Sequence, residues 1–216
     1  MPVLESPFAQ LRLIRQPEQQ NEPLQAFDAA DEYLLNHLAE QGLPAGSRVL
    51  ILNDSFGALA VSLVATMKVT SSSDSFLAIQ ALEKNLVLNG QAFDAVTIIP
   101  ASEPLTGPFD CVLVRVPKTL ALLEEQLIRL QGQLAPNAQV IAGAMVKHLP
   151  RAAGELLERY IGPVQASLAV KKARLLMATP EAKQPFVSPY PTRYLLDEPA
   201  IELLNFELLN MRGVEQ

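Results

Sequence analysis

The 216 residues predict an α/β domain with a largely parallel, doubly wound sheet that closes in an antiparallel hairpin. Three features of the chain carry this. From Arg48 onward, short apolar runs alternate with stretches of helical periodicity. Residues 48–59, R-V-L-I-L-N-D-S-F-G-A-L, read as a buried strand, a sharp turn and the opening of a helix. In doubly wound folds a nucleotide-like cofactor rests against such a turn. After Gly162-Pro163 the rhythm changes, and two apolar runs, residues 164–170 and Ala173–Ala178, meet at Lys171-Lys172. Parallel neighbours need about a dozen connecting residues, so these two runs must pair antiparallel.

The elements follow in order. L-R-L-I-R at 11–15 is a short edge strand, and Pro23 opens a covering helix to Gln41, with Leu24, Phe27, Leu34 and Leu38 apolar and Gly42 as its stop. Strands are expected at 49–52, 68–71, 96–99, 110–115 and 139–144, on their runs of β-branched and aliphatic residues. Helices are expected at 58–67, Phe76–Leu88, 120–134 and Arg151–Tyr160; Leu120, Leu123, Leu127 and Leu134 mark the apolar stripe of the third. Five β-α units closed by a hairpin match, by analogy, the seven-stranded plan of class I SAM-dependent methyltransferases, a Rossmann-like sheet. Residues 1–179 then form the domain, with 1–45 its N-terminal extension and covering helix. Residues 180–200, rich in proline, read as an extended linker, and 201–216 as a tail or the start of a further domain, with 201–211 a helix or edge strand.

A net charge of −6 excludes general electrostatic binding of nucleic acid, so any RNA contact must use a local basic patch. One cysteine, Cys111, excludes a disulfide framework and a cysteine zinc cluster, and neither His37 nor His148 has ligand spacing to a partner, so no metal is expected. No signal peptide or apolar span of about 20 residues is evident, and a soluble cytoplasmic protein without membrane contact is expected. There is no Gly-x-Ser-x-Gly elbow and no phosphate loop ending in Gly-Lys-Ser/Thr.

Three places are candidate sites. The turn at 53–57 has the frame of a cofactor loop but a single glycine. Asn53, Asp54 and Ser55 stand where small residues let a ligand approach, and Phe56 is positioned to plug the pocket beside Gly57. Asp74, after the second strand, is the nearest acid for a cofactor ribose; it could equally cap the next helix. At the end of the fourth strand, base-modifying methyltransferases carry a polar-Pro-Pro-aromatic turn that holds the target amine. Arg115-Val116-Pro117-Lys118 occupies that turn here, and neither cation can accept a hydrogen bond from an amine. Arg115 and Lys118 are then phosphate contacts or solvated charges. Lys171, Lys172 and Arg174, with Lys147 and Arg151, form a basic hairpin region that is either a local RNA contact or a solvated tip.

The segments P-L-Q-A-F-D-A-A-D-E-Y-L-L (23–35), V-L-I-L-N-D-S-F-G-A-L (49–59), V-P-K-T-L-A-L-L-E-E-Q-L (116–127) and L-A-V-K-K-A-R-L (168–175) resemble the N-terminal half of the bacterial 23S rRNA guanine-N2 methyltransferase G family, over about residues 8–200. That family is similar to the 16S rRNA guanine-N2 methyltransferase C family in pairing two methyltransferase-like domains. The resemblance implies that the C-terminal domain of the same polypeptide holds S-adenosyl-L-methionine and performs catalysis. The N-terminal domain is then a degenerate copy that recognises rRNA of the large subunit, binds no cofactor itself and is inactive alone. It places the catalytic half beyond residue 216, and residues 206–216 do not resemble the start of that half. Two other readings stand beside it: a free-standing SAM-dependent methyltransferase with an atypical loop, and a purely structural partner domain.

Overall fold

The computed structural model describes residues 3–19, 22–190, 193–196 and 201–204, the last two segments in their backbone. Strands β1 (Val3–Glu5) and β2 (Gln10–Arg12) make an antiparallel arm. Helix α1 (Ala29–Gln41) follows, then β3 (Arg48–Leu52), α2 (Ala58–Leu63), β4 (Lys68–Ser73), α3 (Phe76–Leu88), β5 (Thr97–Pro100), β6 (Phe109–Arg115), α4 (Leu120–Arg129), β7 (Leu134–Met145), α5 (Arg151–Tyr160), β8 (Val164–Ala166) and β9 (Ala173–Ala178). The main sheet has seven strands in the order β5-β4-β3-β6-β7-β9-β8. The first five of that order are parallel, and β9 runs antiparallel to both β7 and β8.

Central strands covered on both faces must be apolar at nearly every position, and β3 and β6 are. Alternation sends Val49, Ile51, Cys111 and Leu113 toward α1, α2 and α3. It sends Leu50, Leu52, Val112 and Val114 toward α4 and α5. Strand order reverses between β3 and β6, so a crevice opens at their carboxyl ends, the usual ligand position in such sheets.

Several boundaries differ from the sequence reading, each for a local reason. Helix α1 starts at Ala29, because Asp28 adopts an extended conformation and closes a reciprocal capping box with Asp31. Leu24, six-tenths exposed, lies outside it. Helix α2 ends at Leu63 rather than 67, and α4 at Arg129 rather than 134. There Gly132 adopts φ 72°, and Leu134 joins β7 opposite Phe109. The chain passes from β5 to β6 through residues 101–108 without a helix; Leu105 is buried and Arg129 donates to the carbonyls of Ala101 and Glu103. In the hairpin only Val164–Ala166 is a strand at its first arm, and the turn is the two-residue loop Lys171-Lys172 between Val170 and Ala173.

Residues 180–190 run extended against α4 and α5. The Phe186 ring meets Tyr160 edge-on at 4.8 Å, the Phe186 N–H donates to Gln131 Oε1, and the Tyr190 hydroxyl donates to Glu124. Within the stretch read as linker, β10 (Arg193–Leu196) pairs antiparallel with β11 (Ile201–Leu204). The expected element at 201–211 is thus a strand at its start, and the remainder, with the tail at 206–216, lies outside the described residues.

Candidate functional site

The carboxyl end of β3 turns through residues 53–57 into α2. Asn53 takes a left-handed φ of 64°, a conformation that asparagine tolerates better than most residues. Its Nδ2 donates to the Arg115 carbonyl at 3.0 Å and to Gln126 Oε1 at 2.9 Å, while its Oδ1 accepts from Gln126 Nε2 at 2.8 Å. This pair of carboxamides ties the turn, the end of β6 and α4 together across the crevice.

Asp54 is 3% exposed, and its carboxylate accepts the N–H groups of Leu59 and Ala60, at 3.1 and 2.9 Å. It thereby caps α2, whose own N-cap residue, Gly57, has no side chain. Burial, and then the nearby charge of Asp31, push the Asp54 carboxyl up to about 7, against those two hydrogen bonds and the charge of Arg115. Ser55 is exposed. Phe56 packs against the core under α1 and α3, and the Arg15 guanidinium lies 4.6 Å above its ring. At Gly57, φ is 82° and a Cβ would come within 2.9 Å of Leu82 Cδ1 and 3.0 Å of Leu82 Cα. The glycine is therefore accounted for by the close approach of α2 to α3.

Arg115 ends β6 and turns inward, its side chain 16% exposed. Its Nη1 and Nη2 each donate to one Asp28 oxygen at 2.9 Å, and Nη1 also donates to Asp31. Burial opposes the charge of Arg115, but Asp31 and Asp28 outweigh it and raise the pKa above the ordinary value. Burial likewise pushes Asp28 up, but the Arg115 hydrogen bonds and charge hold it below the usual carboxylate range. At Asp31 burial prevails and the pKa is raised. Arg115 is thus neither a solvated charge nor open to a phosphate: it fastens the start of α1 to the end of β6. Asp74 is half-buried at the end of β4, and the cap of α3 is Ser75, which accepts from the Ala78 N–H.

The other basic candidates gather along the same edge. Lys118 is exposed beyond β6. Lys147 and His148 lie exposed on the 3-10 turn Val146–His148 after β7, and Arg151 pairs with Glu155 at 3.0 Å in the open. The Val146 N–H donates to the Lys172 carbonyl, and Met145 stands opposite Ala173, so the β7 end and the hairpin tip are one surface. Lys171 reaches Glu32 of α1 at 2.8 Å, while Lys172 is exposed. Arg174 is half-buried on β9, opposite Ala144. Among the described residues, no group of three or more His, Cys, Asp or Glu is placed to hold a metal.

Sequence reasoning missed Asp28, Asp31 and Gln126. Asp28-Ala29-Ala30-Asp31 carries the spacing of a capping box, a legible signal; the partner of Gln126 lies 73 residues away and is not.

The RLMG N-terminal domain family matches residues 1–182. The chain is 82% identical over 205 residues to the ribosomal RNA large subunit methyltransferase G of Pseudomonas fluorescens strain Pf0-1, covering 95% of this chain and 55% of that protein. The protein of the same name from Stutzerimonas stutzeri is 72% identical over the same coverage. The chain thus spans about half the length of the curated relatives it matches. Among solved structures, T. thermophilus 16S rRNA N2 G1207 methyltransferase (RsmC), in complex with AdoMet and guanosine, superposes with a TM-score of 0.64 at 19% identity, over 83% of this chain and 50% of that one. Precorrin 8w decarboxylase of Methanobacterium thermoautotrophicum gives 0.61 at 19% identity, over 77% and 96%. Those two likenesses establish the methyltransferase-like fold, and the match over residues 1–182 places the chain in the family of RLMG N-terminal domains.

Proposed function

We propose that this chain is the non-catalytic, RNA-recognising half of a large-subunit rRNA methyltransferase, and that the S-adenosyl-L-methionine chemistry belongs to the other half of the polypeptide. The observation that carries the reading is that the crevice at the β3 and β6 carboxyl ends is occupied by the protein's own side chains. Asn53 and Gln126 bridge it, Arg115 is consumed by Asp28 and Asp31, and the remaining glycine packs on Leu82. The residues do not fit the cofactor. A sulfonium nucleoside needs close backbone approach at this turn, which Asn53 fills, and Asp54 is spent on α2, leaving Asp74 at the end of β4 as the acid that could meet a ribose. The carboxyl edge offers cations instead, at Lys118, Lys147, Lys172 and Arg174, suited to phosphate rather than to an amine acceptor. No described helix is long and apolar enough to cross a membrane.

The hairpin loop favours RNA contact over a purely structural role. Lys171 and Lys172 occupy a two-residue hairpin loop with φ of 48° and 63°, positions that suit Asn-Gly. Lys171 spends its charge on Glu32, whereas Lys172 holds a strained left-handed conformation without an ion pair to a described carboxylate, which supports a task for its charge outside the fold.

The test combines cofactor and RNA. Calorimetric titration with S-adenosyl-L-methionine should give no heat of binding, and tritiated cofactor with undermodified large-subunit rRNA should give no label. Protein-free large-subunit rRNA should bind the chain, and Lys147→Glu with Lys172→Glu should weaken it at least about tenfold more than Lys68→Glu with Arg159→Glu, which reverse charges at the opposite edge. Micromolar cofactor affinity would favour the free-standing enzyme, and equal effects of the two pairs would favour the structural domain.

A further inference from the structure

Residues 180–190 are held along their length, where a mere spacer would need no hold. The Glu181 N–H donates to the Ile161 carbonyl at 2.9 Å, and Lys183 Nζ to the Glu158 carbonyl at 3.1 Å. Phe186 rests on Tyr160 and its N–H donates to Gln131. Ser188 donates to Glu125, and the Tyr190 hydroxyl to Glu124 at 2.9 Å, whose other carboxylate oxygen accepts from Tyr160. Ordering such a segment costs backbone entropy, which these contacts offset and which Pro180, Pro185 and Pro189 lower.

The direction of this strap matters as much as its hold. Its first contacts are with the last turn of α5, at the amino edge of the sheet, and Phe186 lies between the ends of α4 and α5. Tyr190 lines a groove of about 310 Å³ with Leu120 and Ala121 of the first turn of α4 and Ala152 and Leu156 of α5. The segment therefore climbs back to the carboxyl edge, where Lys118 and Lys147 stand. Strands β10 and β11, which follow directly, form a two-stranded sheet of their own. The curated relatives are nearly twice as long, since this chain covers 55% of the first of them.

We propose that the mouth of the α4–α5 groove is the docking surface for the other half of the polypeptide, and that residues 180–190 fix that half beside the RNA-contacting edge. This rests on the two-half reading above and adds to it a place of contact. Leu120, Ala121, Ala152 and Leu156 are half-buried apolar side chains at the point where the chain emerges, and a tether concentrates there whatever follows it. Glu124 and Glu155 outnumber Arg159 at the rim, which disfavours a polyanion as the occupant. RNA bound at Lys118 and Lys147 is then presented to the reacting centre at a set distance, rather than over the range of a free linker.

The test uses the polypeptide of full family length and, beside it, the 216-residue chain. Ala121→Gln with Ala152→Gln fills the mouth with uncharged side chains that helices accept. Small-angle scattering of the full-length wild type should fit one arrangement of two halves, and the double variant should lengthen its maximum dimension. Methyl transfer to undermodified large-subunit rRNA should fall about tenfold or more in kcat with KM little changed, because the reacting groups lose their set geometry. In the 216-residue chain the same variant should leave the melting temperature and the affinity for protein-free rRNA unchanged. Glu124→Ala, which frees Tyr160 and Tyr190 together, should loosen the full-length particle in the same way, and Glu124→Gln, which keeps an acceptor, should restore most of it. Halves that tumble independently in the wild type, or a double variant that scatters and methylates as wild type does, would overturn the proposal. So would a fall in the melting temperature of the 216-residue double variant, which would make the groove part of this domain's own packing. Failure of the wild-type 216-residue chain to bind rRNA would overturn the recognition reading alone, since scattering reads the attachment without RNA.

Discussion

At the scale of single residues, the crevice is held by buried charge. Asp54 has a folded-state pKa of about 7 against an ordinary 3.8, raised by burial and by Asp31. A raised carboxyl binds its proton more tightly when folded, so its stabilising contribution is full below about pH 4. It is lost as pH rises through about 7. Asp54→Asn keeps an oxygen for the Leu59 and Ala60 N–H groups and cannot ionise. The variant should gain up to about 4 kcal/mol on wild type between pH 4 and pH 8, read by urea unfolding at the two pH values. Arg115→Met should cost about 3 kcal/mol, because the buried Asp31 and the partly exposed Asp28 lose their cation. Adding Asp28→Asn and Asp31→Asn should restore most of that stability, since the cost lies in unpaired charge rather than in lost packing.

At the scale of elements, the N-terminal arm and the hairpin add polar contacts to the burial of Leu4, Leu11, Leu13 and Leu175. Asn85 on α3 and Asn89 at its C-cap stand one turn apart, and each carboxamide meets one residue of the arm: Nδ2 donates to the carbonyl and Oδ1 accepts from the N–H of Ile14 and Arg12 respectively. The two side chains imitate the edge of a neighbouring strand. Asn85 is fully buried and also donates to the Phe56 carbonyl, so it links the arm to the turn at 53–57. Asn85→Leu should destabilise by about 2–3 kcal/mol and speed amide exchange at Ile14, because the Ile14 N–H and the Ile14 and Phe56 carbonyls lose their partner. For the hairpin, Lys171→Asn with Lys172→Gly should raise stability by about 1 kcal/mol, relieving two left-handed lysines, while RNA affinity falls. A variant that is less stable would place the Glu32 ion pair above the turn strain.

At the scale of the whole molecule, the acidic chain and the basic edge act against each other. With a net charge of −6, long-range attraction to RNA is absent and binding must be local. Lys118, Lys147, Lys172 and Arg174 are the cations at the carboxyl edge that make no ion pair with a described carboxylate. Each phosphate contact contributes about 0.7 to the slope of log affinity against log salt on single strands, so a slope near −3 is expected for rRNA. A much steeper slope would require cations elsewhere on the surface, and a flat one would remove phosphate contact from the account.

What the sequence by itself determined is the sheet and its hairpin. Apolar runs of period-two or fully buried type, and a two-residue gap at Lys171-Lys172, leave no other way to bury those strands. It also showed that the turn after β3 lacks the glycines of a cofactor loop, because a glycine requirement is local and a missing one is visible. Helix ends were less legible, since Asp28 and Gly132 shorten α1 and α4 through caps and turns that compete with propensity. Only the tertiary structure decided what fills the crevice. Asn53 finds Gln126 across 73 residues, and Arg115 finds Asp28 across 87. Hydrogen-bond partners that distant leave no periodic trace in either segment. The same holds for Arg174, which reads as one more hairpin cation until its Nε is seen to be shielded on β9. Charge is written in the sequence, but whether a charge is spent inside the protein or left for a ligand depends on packing across the sheet.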